Sequence, residues 1–275
     1  MNIIHRNFFR LLRSGVLNEY ESLEPMSLYK WQQLAHLITT QGVAEIALKG
    51  FRNHTFDEKG NYPKSMLEQL QLAVSENAAK QQENEQAKKA MPHLSNFLLN
   101  RRLRQIQKNE RHQIDASMTT LELLNIIVRN INMTFNHGIS LSGISEMGSF
   151  LRTRGDKVDF VKLEDWLRRL HIQRMAQLEG SVLIAVFKFE QDEIPFVARV
   201  EPKAYGLTLR TLDHHTDDHV EEWHFKQTHA GFVQNNTRVT RRNLRRSMRY
   251  ISYAPIETTS HFLRNFARSL SEIEE

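Results

Sequence analysis

The chain has 275 residues, 40% of them hydrophobic and 25% charged, an ordinary balance for a globular protein able to bury one large core or two modest ones. Eleven glycines and six prolines are few for this length, which argues against turn-rich sandwiches and barrels and for helices. The absence of cysteine excludes a disulfide framework, a thiolate zinc site and a cysteine nucleophile, and the net charge of +5 is mild enough that its distribution matters more than its size.

The first fifteen residues, MNIIHRNFFRLLRSG, alternate apolar and basic positions without the apolar run of a signal peptide. No stretch approaches the roughly eighteen apolar residues of a membrane span. A soluble cytoplasmic protein without a transmembrane segment is expected. Ile3, Ile4, Phe8, Leu11 and Leu12 share one helical face, with Gly15 as a stop. A second helix starts near Ser27 and carries Leu28, Trp31, Leu34, Ala35 and Ile38. Gly42 ends it, and Val43 opens a shorter helix through Ile46, Leu48 and Phe51. Residues 53–63 read as a loop.

Ser65 to about Ile114 is rich in helix formers and interrupted by Pro92, so two helices or one kinked helix are expected. Within it, Ser75–Lys89 is almost wholly polar and should be exposed or pack only lightly. Thr119 or Thr120 caps a helix through Leu121, Leu124, Ile127, Val128 and Ile131, closed by Gly138. Leu141–Leu151 continues helically to a break at Gly155. Asp159 then caps a helix that buries Val161, Leu163, Trp166, Leu167 and Leu170. The run Ile172–Phe189 is ambiguous, since SVLIAVFKF suits a strand equally well. PFVARV, GLTLRTL and VEEWHF alternate and suit a small meander. The tail returns to helix over Thr237–Tyr250, and again from Pro255, well placed as a first helical residue.

Several segments resemble the bacterial family of uncharacterised nucleotidyltransferases, which place a polymerase-β-like palm inside a helical wrapper. The likeness rests on FFRLLRSG (8–15), EPMSLYKWQQLAHLITTQGVAEIALKGF (24–51) and a proline-led long helix with Glu76, Asn77, Glu83 and Asn84. It continues in FNHGISLSGISEMGSFLRTRGDKVDFVKLEDWLRRLHI (135–172) and, more loosely, in HAGF (229–232) through APIETTSHFLRNFARSL (254–270). That family's chemistry requires a Gly-Ser turn and, on strands, paired carboxylates for two magnesium ions. The place where the resemblance would put them, FLLNRRLRQIQKNERHQIDASMTT (97–120), holds only Glu110 and Asp115, five apart and without a glycine turn. The nearest imitation, Gly148-Ser149 with Asp156 and Asp159, spaces its aspartates three apart in a helix–loop–helix. The resemblance therefore implies a wrapper that has lost its palm, with no catalytic residue and no cofactor assigned.

Three other constellations bear on function. Arg238, Arg241, Arg242, Arg245, Arg246 and Arg249 lie within RVTRRNLRRSMR (238–249), which contains no acid. On a helix they form a surface for phosphates, of nucleic acid or anionic lipid, or else a solvated or ion-paired face. Arg101, Arg102, Arg104, Lys108 and Arg111 make a second basic cluster. Around 213–229, DHHTDDH (213–219) is followed by His224 and His229, and His215 and His219 at i, i+4 suit a metal. The same residues suit a solvated helix start capped by an aspartate.

The expected fold is all-α or mostly α, a single lobed helical domain with a small β or irregular insertion around 182–233. A subdivision into 1–115 and 116–275 is the alternative. Three functional readings stand. The first is a non-catalytic binding or scaffold protein for a protein or acidic partner. The second is a nucleic-acid or other phosphate-binding module on 238–249. The third is a metal-dependent enzyme using 213–229.

Overall fold

A computed structural model describes residues 2–54, 61–89, 91–110, 117–212 and 248–271. Its helices are α1 (Ile3–Leu17), α2 (Leu28–Thr40), α3 (Ala44–Asn53), α4 (Lys64–Lys89), α5 (Phe97–Glu110), α6 (Ser117–His137), α7 (Leu141–Arg154), α8 (Phe160–Arg169), α9 (Gln173–Phe187), α10 (204–212) and α11 (Pro255–Ser271). There is no strand among the described residues, and the fold is all-α.

Phe8, Leu11 and Leu12 turn α1 into the core, where it packs on α2 and α3 and also on α7 and α9. Two glycines set the α1–α3 approach. A Cβ on Gly15 would lie 2.0 Å from the backbone oxygen of Ile46, and one on Gly50 would lie 2.4 Å from that of Leu11. Gly15 is thus a packing glycine rather than the expected stop. The helix runs on to Leu17 and ends at Asn18, whose φ of 61° is left-handed.

Arg6, Arg10 and Arg13, one or two turns apart on α1, hold the connection to α2 through Glu24 and Glu21. Arg13 also donates to the Val186 carbonyl at 2.8 Å, and Lys188 pairs with Glu21 at 2.7 Å, so the same charges fasten α1 to the end of α9. Burial opposes ionisation of Glu21, but hydrogen bonds and charges from Arg13 and Lys188 outweigh it and hold the carboxyl at about 2.

In α2, Trp31, Leu34, Ala35 and Ile38 are buried as their spacing predicts, whereas Leu28 at the first position is exposed. The Trp31 indole N–H donates to Asn61 Oδ1 at 3.0 Å. The polar stretch 75–89 belongs to α4, with its side chains beyond Glu76 outside those described.

Helices α6, α7 and α9 pack mutually around Ile127, Ile131, Ile144, Val182 and Leu183. A polar group sits among them. Gly143 leaves room for Asn130, whose Oδ1 would lie 2.1 Å from an added Cβ, and Asn130 Nδ2 donates to the Gly143 carbonyl at 3.1 Å. Glu179 of α9 is buried with neither carboxylate oxygen hydrogen-bonded. Burial pushes its carboxyl well above the usual range, with the Asn130 side chain opposing.

Asp159 caps α8 as expected, its Oδ1 accepting from the Lys162 amide at 2.9 Å. Thr120 is not a cap of α6, which starts at Ser117; its hydroxyl accepts from the Asp159 amide at 2.9 Å and joins α6 to α8. Leu163, Trp166, Leu167 and Leu170 face inward. Val161, expected among them, is 83% exposed, because two residues before Leu163 the helix presents its opposite side.

SVLIAVF belongs to α9, with Leu178, Val182, Leu183 and Val186 buried at helical intervals. GLTLRTL is helical too, in α10, where Ala204, Leu207, Thr208, Thr211 and Leu212 turn inward with a period that excludes strand alternation. Between them, 188–203 is irregular apart from the turn Gln191–Glu193, and Val197 seats against Gly180, where a Cβ would approach to 2.3 Å. The expected insertion is therefore irregular and helical over its described part. VEEWHF and the rest of 213–233 lie outside the described residues. Among the described residues, no helix is long and apolar enough to cross a membrane.

Candidate anion-binding surface

Arg238, Arg241, Arg242, Arg245 and Arg246 lie outside the described residues, as do His215, His219 and the whole 213–229 cluster. Arg249 is described: it is half-buried in a helical turn at 248–250 and is not without a partner. Among the described residues, no three His, Asp or Glu side chains gather as a metal site. The second basic cluster is placed more fully. Arg101, Arg102, Arg104 and Lys108 all lie on α5, and Arg111 falls outside the described residues.

Helix α5 is two-sided. Leu99, Leu103, Gln107 and Glu110 are buried, with Ile106 partly so. Phe97, Leu98, Arg101, Arg102, Arg104, Gln105, Lys108 and Asn109 are exposed. Phe97, Arg101, Arg104 and Lys108 follow one another at i, i+4, i+7 and i+11, so they form a single row along the outer face. None of Arg101, Arg104 and Lys108 forms an ion pair with a described residue. The one acid of the helix, Glu110, is turned inward and paired with Lys162 at 2.8 Å. The outer face thus carries four cations and no carboxylate.

The helix is fastened at both ends. At its start, Asn96 Oδ1 accepts from the Leu99 amide at 3.1 Å, as a helix cap does. The Glu257 carboxylate of α11 accepts from the Ser95 amide and, at 3.1 Å, from the Asn96 amide. Asn96 Nδ2 donates to Ser260 Oγ at 2.9 Å. A buried carboxylate thereby occupies the positive end of the helix, so attraction for an external anion comes from the side-chain row rather than from the helix terminus. At the far end, Gln107 donates to Asn125 Oδ1 at 3.0 Å and to the Pro92 carbonyl at 3.2 Å. Arg102 donates to the Arg169 carbonyl at 3.1 Å, tying the outer face to the end of α8.

Two features of this surface escape a reading of the sequence. Phe97 is 78% and Leu98 64% exposed, two large apolar side chains side by side at the start of the cationic row. The signal for them is phase, since neither position belongs to the Leu99–Leu103–Ile106 stripe. Glu257 acts over 162 residues, with no local pattern to announce it.

The nearest imitation of a nucleotidyltransferase centre is not assembled. Gly148 lies within α7, packed toward Leu183 and Phe189; Asp156 is exposed in the turn Gly155–Lys157; Asp159 is spent on its cap. Fold and surface together define an all-α protein with an amphipathic helix displaying an acid-free cationic face. Comparison with family models, curated proteins and solved structures yields no match to this chain.

Proposed function

We propose that this chain is a non-catalytic binding protein, a helical scaffold that presents the outer face of α5 to an anionic partner. The observation that carries the reading is the row Arg101, Arg104, Lys108, exposed, without ion pairs to described residues and with the only acid of the helix turned inward. Unpaired cations in one row, held on an element anchored at both ends, attract a polyanion at little cost in ordering. On this reading, the segments that resemble the nucleotidyltransferase wrapper serve as scaffold and the palm's chemistry is gone. The engagement of Glu110 and Asp159 in structural contacts supports that half of the proposal.

Two measurements test it. Titration of the purified protein with polyglutamate and with inorganic polyphosphate should show binding that weakens steeply with salt. Calorimetry with magnesium and each nucleoside triphosphate should show no binding tighter than millimolar. Failure to bind either polyanion at low salt would overturn the first half, and pyrophosphate release that survives rigorous purification would overturn the second.

A further inference from the structure

We infer that the α5 row is a docking surface for single-stranded nucleic acid, with Phe97 as the stacking platform for a base and Arg101, Arg104 and Lys108 as the phosphate contacts. This rests on the proposed reading that α5 is the partner-facing surface, and names the partner's chemistry. With a rise of about 1.5 Å per residue, Arg101, Arg104 and Lys108 stand about 6, 10.5 and 16.5 Å along the axis from Phe97. A flat apolar ring at one end, followed by regularly spaced cations, matches a polymer whose repeat carries one ring and one negative charge.

Three observations select this occupant. Beyond Leu98 the outer face holds no apolar residue, only cations with Gln105 and Asn109. A helix lying on an anionic membrane needs apolar side chains along its whole length, so this distribution disfavours that surface. The carboxylates of an acidic peptide would satisfy the cations but bring no ring for Phe97, the one aromatic of α5, which is 78% exposed. In a duplex the bases are stacked on one another, so only a single strand offers a free ring face. Arginine predominates in the row and can add planar stacking to its charge. Recognition of this kind is tolerant of sequence.

The test uses the full chain and fluorescence anisotropy with a labelled mixed-sequence single strand of about twelve nucleotides. The same sequence as a duplex, inorganic polyphosphate and polyglutamate serve as competitors. Phe97→Ala should weaken the single strand about fivefold or more, leave competition by polyphosphate unchanged and be rescued by Phe97→Tyr. Arg101→Gln, Arg104→Gln and Lys108→Gln together should weaken single strand and polyphosphate alike, and lower the log–log salt slope for the strand by about 2. All these positions are exposed, so an unchanged melting curve accompanies the expected result. Phe97→Ala with undiminished affinity for the strand would overturn the inference. So would a duplex that binds as tightly as the strand. Binding of polyglutamate without the strand would overturn it and leave the proposed function standing. Binding of no polyanion would overturn both.

Discussion

Glu179 gives the sharpest prediction about the fold. Its carboxyl is buried among α6, α7 and α9 without a hydrogen bond to either oxygen, and burial raises its pKa well above the usual 4.5. In the unfolded chain the same group ionises above about 4.5. Between that value and its raised folded value, the native state holds a proton that the unfolded state releases, so stability falls as pH rises. One proton sets the ceiling: about 1.36 kcal/mol per pH unit, hence no more than about 4 kcal/mol between pH 5 and pH 8. Glu179→Gln keeps the shape and cannot ionise. Urea melts of both proteins across pH 5–8 should show the variant's stability rising relative to the parent's as pH rises from 5 toward the raised folded value, and lowest relative to it at pH 5. Comparing two nearly identical chains cancels every other titrating group. Glu21 acts with the opposite sign: held at about 2, it stabilises above about 4.5 and loses that contribution as pH falls toward 2. A gap that stays constant from pH 5 to 8 would refute the assignment of Glu179 as a neutral buried acid.

Gly50→Ala should destabilise by about 1–3 kcal/mol despite the better helix propensity of alanine, because the obstacle is the Leu11 backbone oxygen, which cannot rotate away; thermal melts with unchanged midpoint would contradict the close approach of α1 and α3. Trp31→Ala should cost about 3–5 kcal/mol, since Trp31 is 1% exposed and packed beside Phe51 and Tyr62. Val161→Thr, on the outside of α8, should change stability by about 0.5 kcal/mol or less, and a larger loss would show that the α8 phase is wrong.

The parts of the fold that were legible in the sequence are those where one local signal dominates. Ser27, Asp159 and Pro255 each stand at the start of a helix, Gly42 and Gly138 have positive φ at helix ends, and Trp31 and Trp166 lie on their stripes. Where the deciding contact lies elsewhere in the chain, the local signal misleads. Gly15 reads as a stop until Ile46 is placed against it, and Thr120 reads as a cap until Asp159 arrives. GLTLRTL and SVLIAVF carry β-branched and leucine residues that suit either structure, and burial on one side chooses the helix. The surface divides in the same way. Its cations could be read from Arg101, Arg102, Arg104 and Lys108, whereas the exposure of Phe97 and the grip of Glu257 depend on how α5 meets α6 and α11.

The proposed binding resides on α5 and not in the overall positive charge. Two variants of equal net charge separate these directly: Arg101→Gln, Arg104→Gln, Lys108→Gln against Lys30→Gln, Lys157→Gln, Lys203→Gln, all at exposed positions. Titrated side by side with the same polyanion at one salt concentration, the α5 variant should lose binding at least tenfold, as two or more lost ionic contacts imply, while the control keeps most of the parent affinity. Equal losses in the two variants would contradict the claim and reduce the surface to a share of the chain's net charge.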